Sequence, residues 1–502
     1  MAVPSSSPSR SGAATGGAAR EVPVLVALDR QAALPLGAQL AAALRRAALE
    51  GTVGPGDRLP STRALARRLG VSRTVTAAAY DELLAEGWLT ARVGAGTFVT
   101  ARGPASGPPG PGARRPGPPA DGPHAGRPGT GHHPPEEARD DAADDDPQLL
   151  DLRPGSPWVA GIDRAAWRRA WRRAADRPPT PRRSPAGAPE YRRCVAERLL
   201  HHRGLAVPEP ERADGVLATA GTSAAIAELA VAVLHPGDRV AIEDPGYGRA
   251  VATLRAVGVV VVPVPVDDHG IDPWAVPDDV RAVYCSPAHQ YPLGSRLPVS
   301  RRVELIERAR RHGWLVVEDD YDGELRFDVA PPPALASLAR DVVVHLGTTS
   351  KILSPSLGCG WMVAPAEVAE RVLEHRRRTA VAPALPGQFM LVEFARTGDL
   401  GRHLRAVRRE LAARRDRLVR RLQGHGVRVP GVDAGAHVVV PLQDAEQERA
   451  VLAGARQAGL LVDRLSRHYH GPSPHHGLVV GYTADDGGRL DAATETLCQL
   501  LT

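Results

Sequence analysis

Lys351 follows the hydroxyl run Thr348-Thr349-Ser350, just past the point where the apolar stretch Val342-Val343-Val344-His345-Leu346 breaks at Gly347. That stretch reads as a short buried strand, and a second apolar run, Trp361-Met362-Val363, follows a Gly/Pro/Ser-rich turn. A lysine at the end of a buried strand is desolvated. Its pKa falls, and the neutral amine can attack an aldehyde. Hydroxyls and free loop amides beside it can hold a phosphate. An aldehyde and a phosphate in one molecule describe pyridoxal 5′-phosphate (PLP). On this stretch alone, an ordinary surface lysine in a loop fits equally well.

Four other polar clusters end apolar runs in the same way. Val216-Leu217-Ala218-Thr219 runs into Gly221-Thr222-Ser223, ahead of an Ala-rich helix expected over residues 224–234. A strand, a Gly-Thr-Ser turn and a helix N-terminus make a phosphate cradle of free amides and two hydroxyls. Arg239-Val240-Ala241-Ile242-Glu243 leads to Pro245-Gly246-Tyr247-Gly248, and Ala282-Val283-Tyr284-Cys285 leads to SPAHQYPLG at 286–294. Trp314-Leu315-Val316-Val317-Glu318 leads to Asp319-Asp320-Tyr321-Asp322. Open α/β sheets place their ligands at the carboxyl ends of strands. On that footing Thr222, Ser223, Thr348 and Ser350 are phosphate ligands, and Lys351 is the amine that captures the aldehyde. An acid must keep the pyridine nitrogen protonated for the ring to withdraw electrons. Asp319 is the first choice for it, with Asp320 and Asp322 as alternatives. Tyr321 is placed to hydrogen-bond the ring's phenolic oxygen and Tyr247 or Tyr291 to stack on or edge the ring, while His289 joins the cofactor-binding set. Singly, each has a plain structural reading: Asp319 as a helix cap, Tyr247 as a core aromatic, His289 as a buried polar group. The argument for a site is that four strand ends supply complementary groups.

The elements around these clusters alternate helix and short apolar strand from Leu150 onward, which predicts an α/β domain with a mainly parallel central sheet. At 502 residues the chain has room for roughly two to four domains, and a hydrophobic fraction of 43% supports a sizeable core. No apolar run approaches the ~20 residues that span a bilayer. The longest, residues 257–266, is interrupted by Pro263 and Pro265 and is expected to be a buried strand. The small polar N-terminus has no apolar h-region, so no secretory signal is expected. Cys194, Cys285, Cys359 and Cys498 form no CxxC pair, which fits reduced thiols in a cytoplasm and argues against a cysteine metal site. A net charge of +6 permits nucleic-acid binding without demanding it.

Ahead of that domain the pattern changes. Residues 1–30 are low-complexity and expected to be disordered. Residues 31–100 predict a helix, the turn GPGDRLP, a helix capped by Ser61 and closed by Gly70, and a further helix capped by Ser72 and stopped at Gly87. A β-hairpin follows around Gly94-Ala95-Gly96. That order is a winged helix-turn-helix. Its Ser72 helix lies in the major groove of DNA, N-terminal residues nearest the bases. Arg73 suits a bidentate pair with guanine; Ser72, Thr74 and Thr76 can reach phosphates or bases; Arg63 suits a phosphate or base contact. The glycines of the wing, Gly96 among them, let backbone approach the duplex. Residues 101–147 are dominated by Pro and Gly and then by acid, and are expected to be a flexible tether. His132-His133 within it reads as linker and not as a metal site.

The segment PGDRLPSTRALARRLGVSRTVTAAAYDELLAEGWLTARVGAGTFV resembles the DNA-binding domain of the GntR family of bacterial regulators nearly from end to end. The resemblance implies DNA contacts at Arg63, Ser72, Arg73, Thr74 and Gly96. Some relatives carry another arginine later in the recognition helix, where this chain has Ala77. HPGDRVAIEDPGYG, SPAHQYPLG, VVEDDYDGEL and HLGTTSKILSPSLGCGWMVAP resemble the fold-type I aminotransferase-like domain of the MocR (GabR-like) regulators, in which a GntR winged helix is fused to that domain. The resemblance covers the chain from about Leu34 onward, tether excepted, with residues 148–502 as the effector domain. It implies PLP on Lys351, Asp319 on the ring nitrogen, a head-to-tail homodimer and operator DNA as partner. The function implied is a transcriptional regulator sensing PLP, an amine or an amino acid. A working aminotransferase, or a repressor that has lost PLP, are the alternatives.

Two departures bear on that choice. Relatives usually carry a phosphate-pairing arginine seven residues after the lysine, where this chain has Gly358. Aminotransferases hold the substrate carboxylate with an arginine near the domain's end, yet Leu478-Val479-Val480-Gly481-Tyr482 has none. Arg464, Arg467 and His468 are the nearest stand-ins in sequence.

Overall fold

The structure, a computed structural model, describes residues 26, 28–30, 35–49, 52–54, 56–85, 88–92, 96–100, 149–181, 184–207, 209–212, 214–327, 333–431, 434–483 and 487–501. The expected tether 101–147, with His132-His133, lies outside the described residues, as do most of the segment 1–30 and the wing residues 93–95. The chain divides into two compact units, Met1–Pro104 and Ala105–Thr502.

In the first unit α1 (Leu36–Leu49), β1 (Arg58–Leu59), α2 (Thr62–Leu69), α3 (Arg73–Ala85), β2 (Leu89–Arg92) and β3 (Gly96–Val99) follow in order. Ser61 caps α2 by accepting the Ala64 amide at 3.2 Å, and Gly70 ends it at φ +63°, a left-handed turn that favours glycine. The Ser72 hydroxyl accepts the Val75 amide at 3.4 Å, at the start of α3. Leu40, Leu44, Leu59, Leu65, Ala79 and Leu83 form the core between these helices and the antiparallel sheet β1-β3-β2. The Tyr80 hydroxyl donates to the Pro60 carbonyl at 2.7 Å, locking α3 onto the turn before α2.

In the second unit β4 (Leu150–Asp151) leads through the helices Arg164–Ala175 and Pro189–Arg203 to β5 (Val216–Thr219), β6 (Arg239–Asp244), β7 (Val260–Asp267), β8 (Gly270–Ile271), β9 (Ala282–Cys285), β10 (Leu315–Asp320), β11 (Val343–Thr348) and β12 (Gly360–Val363). The strands from β5 onward make one eight-stranded sheet in the order β5-β12-β11-β10-β9-β6-β7-β8. The neighbours from β11 across to β7 are parallel; β12 runs against both of its neighbours, and β8 against β7. Parallel strands put their carboxyl ends on one edge, and that edge gathers the polar clusters. Further on, β13 (His437–Leu442), β15 (Asp463–Arg464) and β16 (His476–Gly481) form a smaller antiparallel sheet, while β14 (Leu460–Leu461) pairs with β4.

One strand departs from expectation. Residues 257–266 contribute β7, near the sheet's edge, and Val260 is 49% exposed. The apolar run is set by alternation with Pro263 and Pro265, and the strand is not a buried one. Among the described residues no helix is long and apolar enough to cross a membrane, and no group of acids, histidines and cysteines is placed to hold a metal.

Candidate functional site

On the winged unit, Arg63, Ser72, Arg73 and Thr74 are exposed together, on the first turn of α2 and at the start of α3. The free amides of a helix start add partial positive charge there. Thr76 does not belong with them. It is fully buried, and its hydroxyl hydrogen-bonds the carbonyls of Thr62 at 2.9 Å and Arg73 at 3.0 Å. Thr76 lies two residues past the exposed Thr74, about 200° round the helix, and so faces the core; the expected DNA contact at Thr76 is corrected to a tie between α3 and α2. Gly96 opens β3 at φ +118°, and a Cβ there would lie 2.9 Å from the Arg58 Nε. Arg58 is exposed on the neighbouring strand, with its guanidinium beside Gly96. Reading β1 as a turn had hidden it.

In the second unit the strand ends converge around Lys351. It lies three residues past the end of β11, and its Nζ donates to the Gly155 carbonyl at 2.5 Å. Burial lowers its pKa, helped by the charge of Arg249 and opposed by Asp322 and Asp319. It is also the only lysine among 63 Lys and Arg residues. Gly221, at φ +128°, brings the two polar turns together: a Cβ there would sit 3.4 Å from Thr348 Oγ1 and 3.9 Å from Ser350 Oγ. Thr222 and Ser223 open the helix Thr222–Val233, whose first amides have no backbone acceptor. Thr348 donates to Ser350 Oγ at 2.9 Å, and Ser223 Oγ lies 2.9 Å from the Tyr247 hydroxyl. A bare cradle of amides and hydroxyls is the shape and polarity a phosphate needs.

The three candidate acids separate by what they hold. Asp320 accepts Arg203 through both oxygens, at 2.7 and 2.8 Å, in a buried pair. Asp322 takes His289 Nδ1 at 2.8 Å. Asp319 accepts the Tyr284 hydroxyl on one oxygen and leaves Oδ1 buried without a partner. Strand alternation explains the sorting, since Asp319 and Asp320 point to opposite faces of β10. A buried carboxylate oxygen lacking a donor is costly unless a ligand supplies one. A pyridinium N–H is such a donor, so the residues present fit PLP.

Tyr247 and Tyr291 pack edge to face with centroids 6.1 Å apart, and Tyr291 meets Tyr321 at 6.0 Å. His289 stands behind this wall. Its Nδ1 is 3.0 Å from the Tyr321 hydroxyl, and Gly435 is needed beside it, because a Cβ there would lie 2.3 Å from His289 Cε1. Sequence reading missed two groups here. Arg249, exposed on the helix that starts at Gly248, acts on Lys351, Tyr247 and Tyr291 through its charge. Its position two residues after Tyr247 in PGYGR was the available signal. Gly155, at φ +114°, comes from a loop some 200 residues before the lysine it contacts, and nothing local announces it. Gly358 adopts φ +59° in open space. Arg467 pairs with Asp463 at 3.0 Å, His468 lies 3.3 Å from the same carboxylate, and Arg464 is exposed.

The Asp319 carboxyl is pushed up to about 7, by burial first, with the charges of Asp320 and Asp322 adding to it. Unfolded, it titrates near 4. Its contribution to stability is therefore full below pH 4 and is lost as pH rises through 7. Asp319→Asn removes that loss. Without cofactor, the variant is expected to melt about 2–4 °C above the parent at pH 8, to match it near pH 4, and to gain less than the parent from added PLP. Thermal unfolding at both pH values, with and without PLP, checks all three.

A winged helix-turn-helix and a fold-type I aminotransferase domain on one chain define a class of regulator built on an enzyme's fold. Residues 36–99 match the bacterial regulatory proteins of the gntR family, and residues 163–468 match aminotransferase class I and II. The chain is 33% identical over 469 residues to the HTH-type pyridoxine biosynthesis transcriptional regulator PdxR of Corynebacterium glutamicum, covering 93% of this chain and 96% of that one. It is 32% identical over 479 residues to the probable rhizopine catabolism regulatory protein MocR of Rhizobium meliloti, covering 92% and 93%. An archaeal alanine:glyoxylate aminotransferase shares the fold at TM-score 0.66 and 23% identity, over 70% of this chain and 90% of that one. Kynurenine aminotransferase of Pyrococcus horikoshii does so at 0.66 and 22%, over 74% and 95%. The chain belongs to the MocR-type transcriptional regulators of the gntR family, with a DNA-binding winged helix followed by an aminotransferase-like domain.

Proposed function

We infer that the aminotransferase-like unit holds PLP at Lys351 and that occupancy of this site, by PLP alone or with an amine or amino acid, sets how the chain grips operator DNA. The observation that carries this is the unpartnered, buried Asp319 Oδ1 at the strand end next to the one that leads to the sole lysine. Bound PLP supplies an aldehyde carbon for an amine and an electron-withdrawing pyridinium. Lys351 offers the amine, kept reactive by burial, and Asp319 holds the proton on the ring nitrogen. Thr222, Ser223, Thr348 and Ser350 take the phosphate. Tyr247 and Tyr291 wall the ring and exclude water. Tyr321, steadied by His289 and Asp322, faces the phenolic oxygen. Gly358 cannot pair an anion through a side chain, and the positive charge of Arg249, which acts on Lys351, Tyr247 and Tyr291, favours an anionic group in whatever binds.

Arg63, Ser72, Arg73, Thr74 and the wing at Gly96 make the DNA face. Two copies, joined head to tail, present two such faces to a two-fold operator in the cytoplasm. A ligand changes DNA binding only by favouring one arrangement of the dimer over another. The test is a titration of purified protein with PLP, followed by absorbance of the lysine-bound cofactor. DNA affinity is then measured with and without PLP and a panel of amines. A change of tenfold or more is expected for at least one ligand. Affinity the same within twofold for all of them, with PLP bound, would remove the sensing role.

A further inference from the structure

A second basic surface lies on the aminotransferase-like unit. The helix Arg164–Ala175 reads RAAWRRAWRRAA, five arginines and no acid. Ala166, Ala170 and Ala174 are buried along one side, and Trp167 packs edge-on against Trp171 and Phe394. The arginines occupy the other half of the circumference, and all five are exposed. Arg164, Arg168, Arg172 and Arg173 have no ion-pair partner among the described residues, while Arg169 reaches Asp399 at 3.7 Å. Asp399 also takes Arg402 at 2.6 Å, which joins this surface to the start of the helix Asp399–Gly424. There Arg402, Arg405, Arg408 and Arg409 line an open cleft of about 510 Å³. Arg405 and Arg409 are exposed and unpaired among the described residues. Arg408 gives its Nε to the Glu324 carbonyl at 2.6 Å and keeps a buried Nη2 with no partner. By contrast, on the helix Ala366–Thr379 Glu367 takes Arg371 and Glu374 takes Arg378 one turn on. On the surface described here Arg164, Arg168, Arg172, Arg173, Arg405 and Arg409 have no such partner among the described residues.

We propose that this surface binds the sugar-phosphate backbone of the duplex outside the stretch read by the winged unit. From Arg164 to Arg173 the helix advances about 14 Å, alongside about four phosphates of one strand. Guanidinium groups pair with phosphates bidentately, and half a cylinder of them is too extended for one small anion. The gntR unit on the same chain is a DNA-binding unit, and linkage within one chain raises the local concentration of duplex. The proposal rests on DNA binding by the chain and is independent of PLP.

The test is the salt dependence of binding by the full chain to a long duplex of random sequence. Replacing Arg164, Arg168, Arg172 and Arg173 together by glutamine is expected to lower the slope of log affinity against log salt by about 3–4 per bound chain and to weaken low-salt binding at least tenfold. Lysine at the same four positions keeps the charge and is expected to restore both. Arg73→Ala in the winged unit is expected to leave this slope nearly as it is, which separates failure of the new surface from failure of the winged one. An unchanged slope in the glutamine variant would overturn the proposal. Equal losses with glutamine and with lysine would also overturn it, because charge would not be the cause.

Discussion

Lys351→Ala is expected to abolish covalent capture of PLP completely. Most proteins offer a reagent aldehyde many surface amines. This one offers a single side-chain amine, half-buried after β11 and resting on the Gly155 carbonyl at 2.5 Å. Burial lowers its pKa and so raises the neutral fraction that can attack a carbonyl. Borohydride reduction of the parent protein with PLP should therefore fix label on one internal peptide, and the variant should carry none there. Lys351→Arg should fail equally, because guanidinium stays protonated. Both variants should keep DNA binding and lose its response to ligand. Label of equal amount elsewhere in the variant would remove Lys351 from the proposed site.

Arg73→Ala is expected to cost the second largest effect. Arg73 is exposed at the first position of α3, where a helix entering the major groove meets base edges. One bidentate arginine–guanine pair is worth about 1–3 kcal/mol of discrimination. A dimer loses it twice, so operator affinity should fall by roughly 30-fold to 10⁴-fold. Preference over random sequence should fall by a similar factor, and cofactor absorbance should not change. Competition binding against unrelated duplex measures the two separately. A variant that still discriminates operator as the parent does would take Arg73 off the list of base contacts.

How much of this was legible beforehand varies with how local the information is. The winged unit was, since Ser61, Gly70 and Ser72 mark its helix boundaries by chemistry that acts within four residues. Thr76 was misjudged because a polar residue near exposed ones reads as exposed; only the packing of α3 on α2 shows that its hydroxyl is spent on Thr62 and Arg73. The strand-end clusters were legible because parallel strands, once recognised, must share an edge. The choice among Asp319, Asp320 and Asp322 was open in sequence and needed Arg203 and His289, partners 117 and 33 residues from the acids they hold. Gly155 and Arg249 depended on tertiary closure in the same way. The run at β7 misled because hydrophobicity reports what can be buried, while sheet order decides what is.

Because Lys351 falls between β11 and β12, the one peptide bond open to a lysine-specific protease divides the eight-stranded sheet between two fragments. Digestion of the denatured chain should give two pieces of unequal size, and no third. A reduced cofactor on the side chain would block that cut. The fraction of chain left whole on a gel would then count occupied sites in any preparation, including one taken directly from cells.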